Sequence, residues 1–120
     1  MDAKTVWDIK SNEEMDKIRQ LAEGKFPKVL NSGELESIAA FFKGLGDETR
    51  LKIVSLLWIE DMCMCEIVSG LNGASSTINH HLKIMEKGDI IESRREGKFT
   101  IYHLNKEKLE HLIPYLIEDK

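Results

Sequence analysis

The stretch from Glu66 to Leu104 constrains the fold of this chain most. Glu66 to Gly70 reads as a short helix, and Leu71-Asn72-Gly73-Ala74 reads as a turn. Ser75 or Ser76 is placed to cap a second helix running to about Lys87. Within it Ile78, Leu82 and Met85 recur at i, i+4, i+7 and should face inward. Ser76, Asn79, His80, Lys83 and Lys87 fall on the opposite side. Gly88 ends this helix, Ile90 to Arg95 reads as a strand, Glu96-Gly97 as a tight turn, and Phe99 to Leu104 as the return strand.

A short helix joined by a Gly-containing turn to a polar-faced helix is a helix-turn-helix pattern, and the hairpin after it resembles a wing. A merely solvated helix face would show the same polar stripe. The hairpin in the required order, with Arg94, Arg95 and Lys98 around its tip, favours DNA. Base readout is then expected from Ser76, Asn79 and His80, and phosphate contacts from Lys83, Arg94, Arg95 and Lys98. His81 borders the buried stripe, so packing or a phosphate contact suits it better than base readout.

The flanking segments are helical. Ser11-Asn12-Glu13-Glu14 has capping-box spacing, with Met15, Ile18, Leu21 and Ala22 following at helical intervals until Gly24 and Pro27. Asn31-Ser32-Gly33 reads as a loop. Leu35, Ile38, Ala39, Phe42 and Leu45 predict an amphipathic helix stopped by Gly46. Asp47 can cap residues 48–59, which are apolar nearly all round and should form the most buried helix. Asn105 begins a final helix with Leu109, Leu112, Ile113 and Leu116 on one face, which Pro114 should kink or divide.

Charge first argues against nucleic acid and then does not. The chain has 120 residues, 17 basic and 21 acidic, for a formal net charge of −4. That is unlike proteins that coat nucleic acid nonspecifically. The excess acid, however, lies mainly in residues 34–62, while 63–104 is neutral with its cations gathered at Lys83, Lys87, Arg94, Arg95 and Lys98. Weak nonspecific binding and reliance on specific contacts are expected. The length fits one domain with an extension. Met1-Asp2-Ala3-Lys4 lacks a signal-peptide apolar run, and the longest apolar runs, such as Ile38 to Phe42, are far short of the roughly 20 residues needed to span a bilayer. A cytoplasmic protein without membrane association is expected. Enzyme chemistry is not: there is no triad spacing, phosphate-cradling Gly loop or convincing acid/base pair.

The cysteines, Cys63 and Cys65, are too close in sequence to staple a disulfide scaffold. Thiolates are soft ligands, suited to As(III), Cd(II), Hg(II), Cu(I) or Zn(II). A helix N-terminus would lower their pKa. Residues i and i+2 of a helix diverge by about 200°. Chelation by both sulfurs is therefore expected to need a non-helical backbone, and so to unwind or tilt the start of the 66–70 helix. Two alternatives stay open: a redox switch through a strained, easily reduced disulfide, or small buried structural residues.

Three motifs carry a family resemblance. Leu45-Gly46-Asp47-Glu48-Thr49-Arg50-Leu51-Lys52-Ile53 resembles the Leu-Ala-Asp-Pro-Thr-Arg-Leu-Arg-Ile signature of the ArsR/SmtB metalloregulatory repressors. Ser75-Ser76-Thr77-Ile78-Asn79-His80-His81-Leu82-Lys83 resembles that family's recognition helix, which adds Ser75 and Thr77 to the DNA-binding set. Arg94-Arg95-Glu96-Gly97-Lys98-Phe99 followed by Tyr102 resembles its wing. Asp61-Met62-Cys63-Met64-Cys65-Glu66-Ile67 is similar to the Glu-Leu-Cys-Val-Cys-Asp-Leu effector motif of arsenite-responsive members. Their third cysteine is replaced here by Val68, so two thiolates leave As(III) one ligand short unless a small thiol completes it. The absence of cysteine from residues 1–30 excludes the four-thiolate cadmium/lead type within one protomer. Met62 and Met64 could serve Cu(I) but suit packing better. His103, Glu107, Glu110, His111 and Glu118 do not match the spacing of the zinc-responsive type.

The resemblance implies an α+β winged helix-turn-helix, mostly helical with one β-hairpin. Residues 1–33 would form an extension with one helix for packing or dimerisation, and residues 34–117 the DNA-binding domain. The implied function is transcriptional repression by a homodimer on a double-stranded operator. Release would come from a thiophilic ion or oxidation at Cys63 and Cys65. The alternatives are a winged-helix protein-interaction module and a ligand-independent regulator with structural cysteines.

Overall fold

The structure is a computed structural model that describes residues 6–30 and 33–117. The chain divides into two compact units, Met1–Leu35 and Glu36–Lys120. The expected loop at Asn31 and Ser32, the N-terminal Met1 to Lys4 and the candidate ligand Glu118 lie outside the described residues.

In the first unit, α1 (Asn12–Lys25) starts on the expected capping box. The Ser11 hydroxyl accepts from the Glu14 N–H at 3.1 Å, and the Glu14 carboxylate accepts from the Ser11 N–H at 2.8 Å. Helix α1 runs through Gly24 to Lys25, and Phe26 separates it from α2 (Pro27–Leu30). It buries none of its residues, and Met15, Ile18 and Leu21 are exposed.

In the second unit, α3 (Leu35–Lys43) leads through Gly44 to Gly46 into α4 (Glu48–Ile59). Asp47 caps α4 as expected, its carboxylate accepting from the Thr49 and Arg50 N–H groups at 2.8 and 3.2 Å. Helix α4 is the central one, burying Arg50, Ile53, Val54 and Leu57. Then follow β1 (Met62–Cys63), α5 (Met64–Leu71), α6 (Ser75–Lys87), β2 (Ile91–Glu96), β3 (Phe99–Leu104) and α7 (Lys106–Leu109). The core joins α4, Ile67 of α5, the inner stripe of α6, Ile90, Ile91, Leu104 and Leu109. Each such aliphatic side chain contributes about 1.5–3 kcal/mol on leaving water.

The strands form an antiparallel sheet in the order β1-β3-β2, with Cys63 opposite Ile101 and Glu96 opposite Phe99. Strand β1 is too short for an alternating pattern to reveal it. The hairpin loop is Gly97-Lys98 rather than the expected Glu96-Gly97, with Gly97 at φ +61° in the first loop position. Glu96 instead completes the ladder, because Gly takes a positive φ without steric cost.

One helix end departs from expectation and another follows it. Ala74, in extended conformation, is the N-cap of α6, and no side chain caps it. Ser75 and Ser76 therefore sit inside the first turn, where both are exposed. The C-terminal helix is divided, one of the two outcomes expected from Pro114: α7 stops at Leu109, and Pro114 lies in a separate 3-10 turn, Ile113–Tyr115. Proline disrupts the α-helical hydrogen bonding there.

Candidate DNA-facing surface and thiol pair

Helix α5, the turn and α6 make the helix-turn-helix. Asn72 adopts the left-handed conformation at φ 55°, and the Gly73 N–H reaches the Val68 carbonyl at 3.2 Å. This closes α5 as a Schellman-type cap and redirects the chain into α6. The same closure recurs at the end of α6, where Asp89 takes φ 60° and the Ile90 N–H bonds the Met85 carbonyl at 2.9 Å. Gly88 answers a different need. A Cβ there would lie 2.4 Å from the Ala40 carbonyl oxygen, so only glycine lets α3 and α6 approach this closely.

Helix α6 has the expected two faces. Ile78, Leu82 and Met85 are no more than 1% exposed. Ser75, Ser76, Thr77, His80 and Lys83 are exposed, and Asn79 is half-buried on the same outer side.

His81 turns inward, its side chain only 12% exposed. Its Nδ1 lies 3.0 Å from Nη1 of Arg50, whose residue is 8% exposed and whose Nε donates to the Lys43 carbonyl at 3.1 Å. The guanidinium can only donate, so Nδ1 is the acceptor in this contact. Asp47 Oδ2 stands 3.8 Å from the ring. The Arg50 N–H above all, then that of Thr49 and the nearby charges, hold the Asp47 carboxyl below its ordinary value. One buried guanidinium thus ties the end of α3, the start of α4 and the middle of α6. Sequence reasoning assigned Arg50 no role, although a charge amid an apolar helix is itself a signal of a buried partner.

On the wing, strand alternation separates the two arginines. Ser93 and Arg95 share a face with Thr100 and Tyr102, and the Ser93 hydroxyl bonds Glu86 of α6 at 3.0 Å. Arg94 lies on the other face. It bonds Asp61 at 2.8 Å and Glu96 at 2.7 Å, so it is engaged within the protein rather than presented for phosphate as expected. His103 Nδ1 reaches the second Asp61 oxygen at 3.0 Å. Arg94 first and His103 second hold the Asp61 carboxyl below its ordinary value. Arg95 makes only a long contact to the Gly97 carbonyl at 3.4 Å, and the Lys98 ammonium sits 5.7 Å from its neighbour Phe99's ring centroid. Arg95, Lys98 and Lys83 are therefore exposed cations whose charge is turned to solvent.

The thiols meet at the start of α5. Cys63, buried, is the N-cap in extended conformation, while Cys65, exposed, lies in the first turn. Their sulfurs are 3.1 Å apart. The helical divergence of i and i+2 does not apply, because the cap residue is not helical; the sulfurs converge with α5 intact. The Glu66 carboxylate accepts from the Cys63 N–H at 3.0 Å. The thiol of Cys65 is pushed up, not down as the helix N-terminus alone implies. The hydrogen bond with Cys63 acts first, then burial, then the negative charge of Cys63 and Glu66. A tetrahedral ion with metal–sulfur bonds of about 2.3 Å holds two sulfurs about 3.8 Å apart, so a small spread of this pair would accommodate one. Among the described residues, no cluster of three or more His, Cys, Asp or Glu is assembled for a metal ion.

A family profile described as "Bacterial regulatory protein, arsR family" matches residues 47–93, from the α4 cap into β2. An uncharacterized HTH-type transcriptional regulator of Methanocaldococcus jannaschii is 37% identical over 84 residues, covering 69% of this chain and 94% of that protein. The chain belongs to the ArsR family. The cadmium resistance transcriptional regulatory protein CadC of Listeria innocua is 33% identical over 106 residues, 85% of this chain and 89% of its own. Among solved structures, the homodimeric winged helix-turn-helix DNA-binding domain (fragment 1–100) from Mycobacterium bovis superposes with a TM-score of 0.63 at 24% identity, covering 72% of this chain and 83% of that one. This ArsR-family protein is a DNA-binding transcriptional regulator with an α+β winged helix-turn-helix fold. Among its described residues no helix is long and apolar enough to cross a membrane.

Proposed function

We propose that this ArsR-family regulator represses transcription as a homodimer on a double-stranded operator and is released by a thiophilic ion or by oxidation at Cys63 and Cys65. The outer face of α6 carries this reading. Ser75, Ser76, Thr77, Asn79 and His80 stand over a fully buried stripe, and their polar groups are turned outward toward base edges and sugar-phosphate. Lys83, Arg95 and Lys98 hold phosphates, and Arg94 braces the wing against Asp61.

The dimer reading rests on unpartnered apolar surface. Helix α3 buries none of its residues although its sequence is amphipathic, and Phe42 is 58% exposed. Phe42, Leu45, Leu51, Leu112, Ile113 and Leu116 line an apolar groove of about 300 Å³. Helix-turn-helix dimers read two half-sites about one DNA turn apart, which a single recognition helix cannot do. Residues 34–117 act as the DNA-binding domain, and residues 1–33 add packing or dimer contacts.

The thiol pair supplies the sensor. CadC, the relative from Listeria innocua, carries cadmium resistance in its name, and another relative, from Staphylococcus xylosus, is an arsenical resistance operon repressor. An ion such as Cd(II), As(III), Cu(I) or Zn(II) would be held by both sulfurs and would displace their protons.

The test is fluorescence anisotropy with a duplex selected by the protein from a random-sequence pool. The ions, and separately an oxidant, are then titrated into the complex. Specific binding should fall with salt at a log–log slope of about −5, as expected for six phosphates in a dimer. At least one of the agents should release the DNA. A C63S/C65S variant that binds DNA yet still responds to that agent would overturn the sensor assignment.

A further inference from the structure

A cleft of about 340 Å³ opens between the start of α5, α6 and the wing. Cys63 and Cys65 line one side, and Asn79, Lys98, Phe99 and Tyr102 line the others. Its walls are thus the thiol pair, the outer side of the recognition helix and the tip and base of the wing. Arg95 lies on this same face of the sheet, two positions along the strand from Ser93, which is bonded to α6. A recognition helix in the major groove and a wing on the adjoining phosphates leave the space between them facing the DNA backbone.

The thiols need no rearrangement of α5 to share a ligand. Their sulfurs are already 3.1 Å apart, and β1 holds Cys63 in place by pairing with β3. A mechanism that unwinds α5 therefore has no geometric requirement behind it.

We infer that bound DNA closes this cleft over Cys63 and Cys65, so that DNA and a thiol ligand exclude each other directly at one shared surface. This deepens the functional reading above and rests on α6 and the wing being the DNA surface. Effectors that act through a conformational change couple to DNA by a limited amount, typically about 5–150-fold, and form ternary complexes. Direct exclusion forms none, and its effect grows with DNA concentration without a plateau.

The experiment follows alkylation of Cys65 by N-ethylmaleimide in the reduced, full-length protein. The adduct is located by mass spectrometry, and DNA occupancy is read by anisotropy in the same sample. The DNA is the duplex selected from a random pool. The rate should track the free fraction of protein, falling about hundredfold with duplex at about 100 times Kd. A rate that stays within about twofold of the DNA-free value in a saturated complex overturns the inference while leaving DNA binding intact. Failure to select any duplex at low salt overturns the DNA reading itself, and the inference with it. In parallel, Cd(II) added to the free protein should leave the helical circular-dichroism signal unchanged; loss of about one turn would restore the unwinding mechanism.

Discussion

Replacing His81 by leucine should destabilise the DNA-binding unit through Arg50, not through weakened packing. Leucine fills similar space but accepts no hydrogen bond. The Arg50 Nη1, which points at Nδ1 from 3.0 Å in a residue only 8% exposed, would then lack a partner. Leaving a buried donor unsatisfied costs about 1–3 kcal/mol, and more for a charged group, so about 2 kcal/mol is expected. For a folded unit of this size that lowers Tm by roughly 10 °C. Asparagine places its carbonyl oxygen close to the position of Nδ1, so H81N should recover more than half of the stability. Urea denaturation followed by circular dichroism measures both variants. Because His81 also orients α6, H81L should reduce affinity for the selected duplex more than for unrelated DNA, and H81N should regain the difference. An H81L protein within about 0.5 kcal/mol of wild type, or an H81N protein no better than H81L, would refute the strut.

Gly88→Ala places a methyl 2.4 Å from the Ala40 carbonyl oxygen. Forcing α3 and α6 apart should cost about 1–3 kcal/mol, outweighing the roughly 0.4–1 kcal/mol gained from a stiffer unfolded chain; the urea midpoint reports the sign. R95A should flatten the salt dependence of DNA binding by about 0.9 for each phosphate that Arg95 neutralises. R94A should weaken binding with a smaller change of slope, since Arg94 is engaged by Asp61 and Glu96. Asp47 has a depressed carboxyl pKa in the fold. Its stabilisation is fully present above the ordinary value near 3.8, and is lost as pH falls below that and through the folded value. Unfolding curves between pH 5 and pH 2 should therefore shift less for D47N than for wild type.

The local elements were legible because their signals lie within a few residues. Ser11 and Glu14 meet across one helical turn, Asp47 caps α4, and the apolar spacing of Ile78, Leu82 and Met85 matches the buried stripe of α6. Where local reading failed, a neighbour distant in sequence had intervened or a boundary had moved by one residue. Arg94 read as a free cation because Asp61, 33 positions away, is silent in any local pattern. Ser75 and Ser76 read as caps because either would serve; the turn through Asn72 set the boundary at Ala74. Shared ligation by the cysteines was expected to need a non-helical backbone and so to disturb the following helix; Cys63 is already the extended cap, so the sulfurs converge without unwinding α5.

The amino-acid sequence alone determined the order of the longer helices and the hairpin, the two faces of α6, the wing and the presence of a thiol pair beside the recognition helix. These depend on periodicity and capping, which are short-range properties of the backbone. The tertiary structure decided which groups meet: Arg50 with His81, Arg94 and His103 with Asp61, and the thiols with the cleft between α6 and the wing. The first three pairings join residues 31 to 42 positions apart. They exist only because the packed core of α4, α5 and α6 and the pairing of β1 with β3 bring distant segments together.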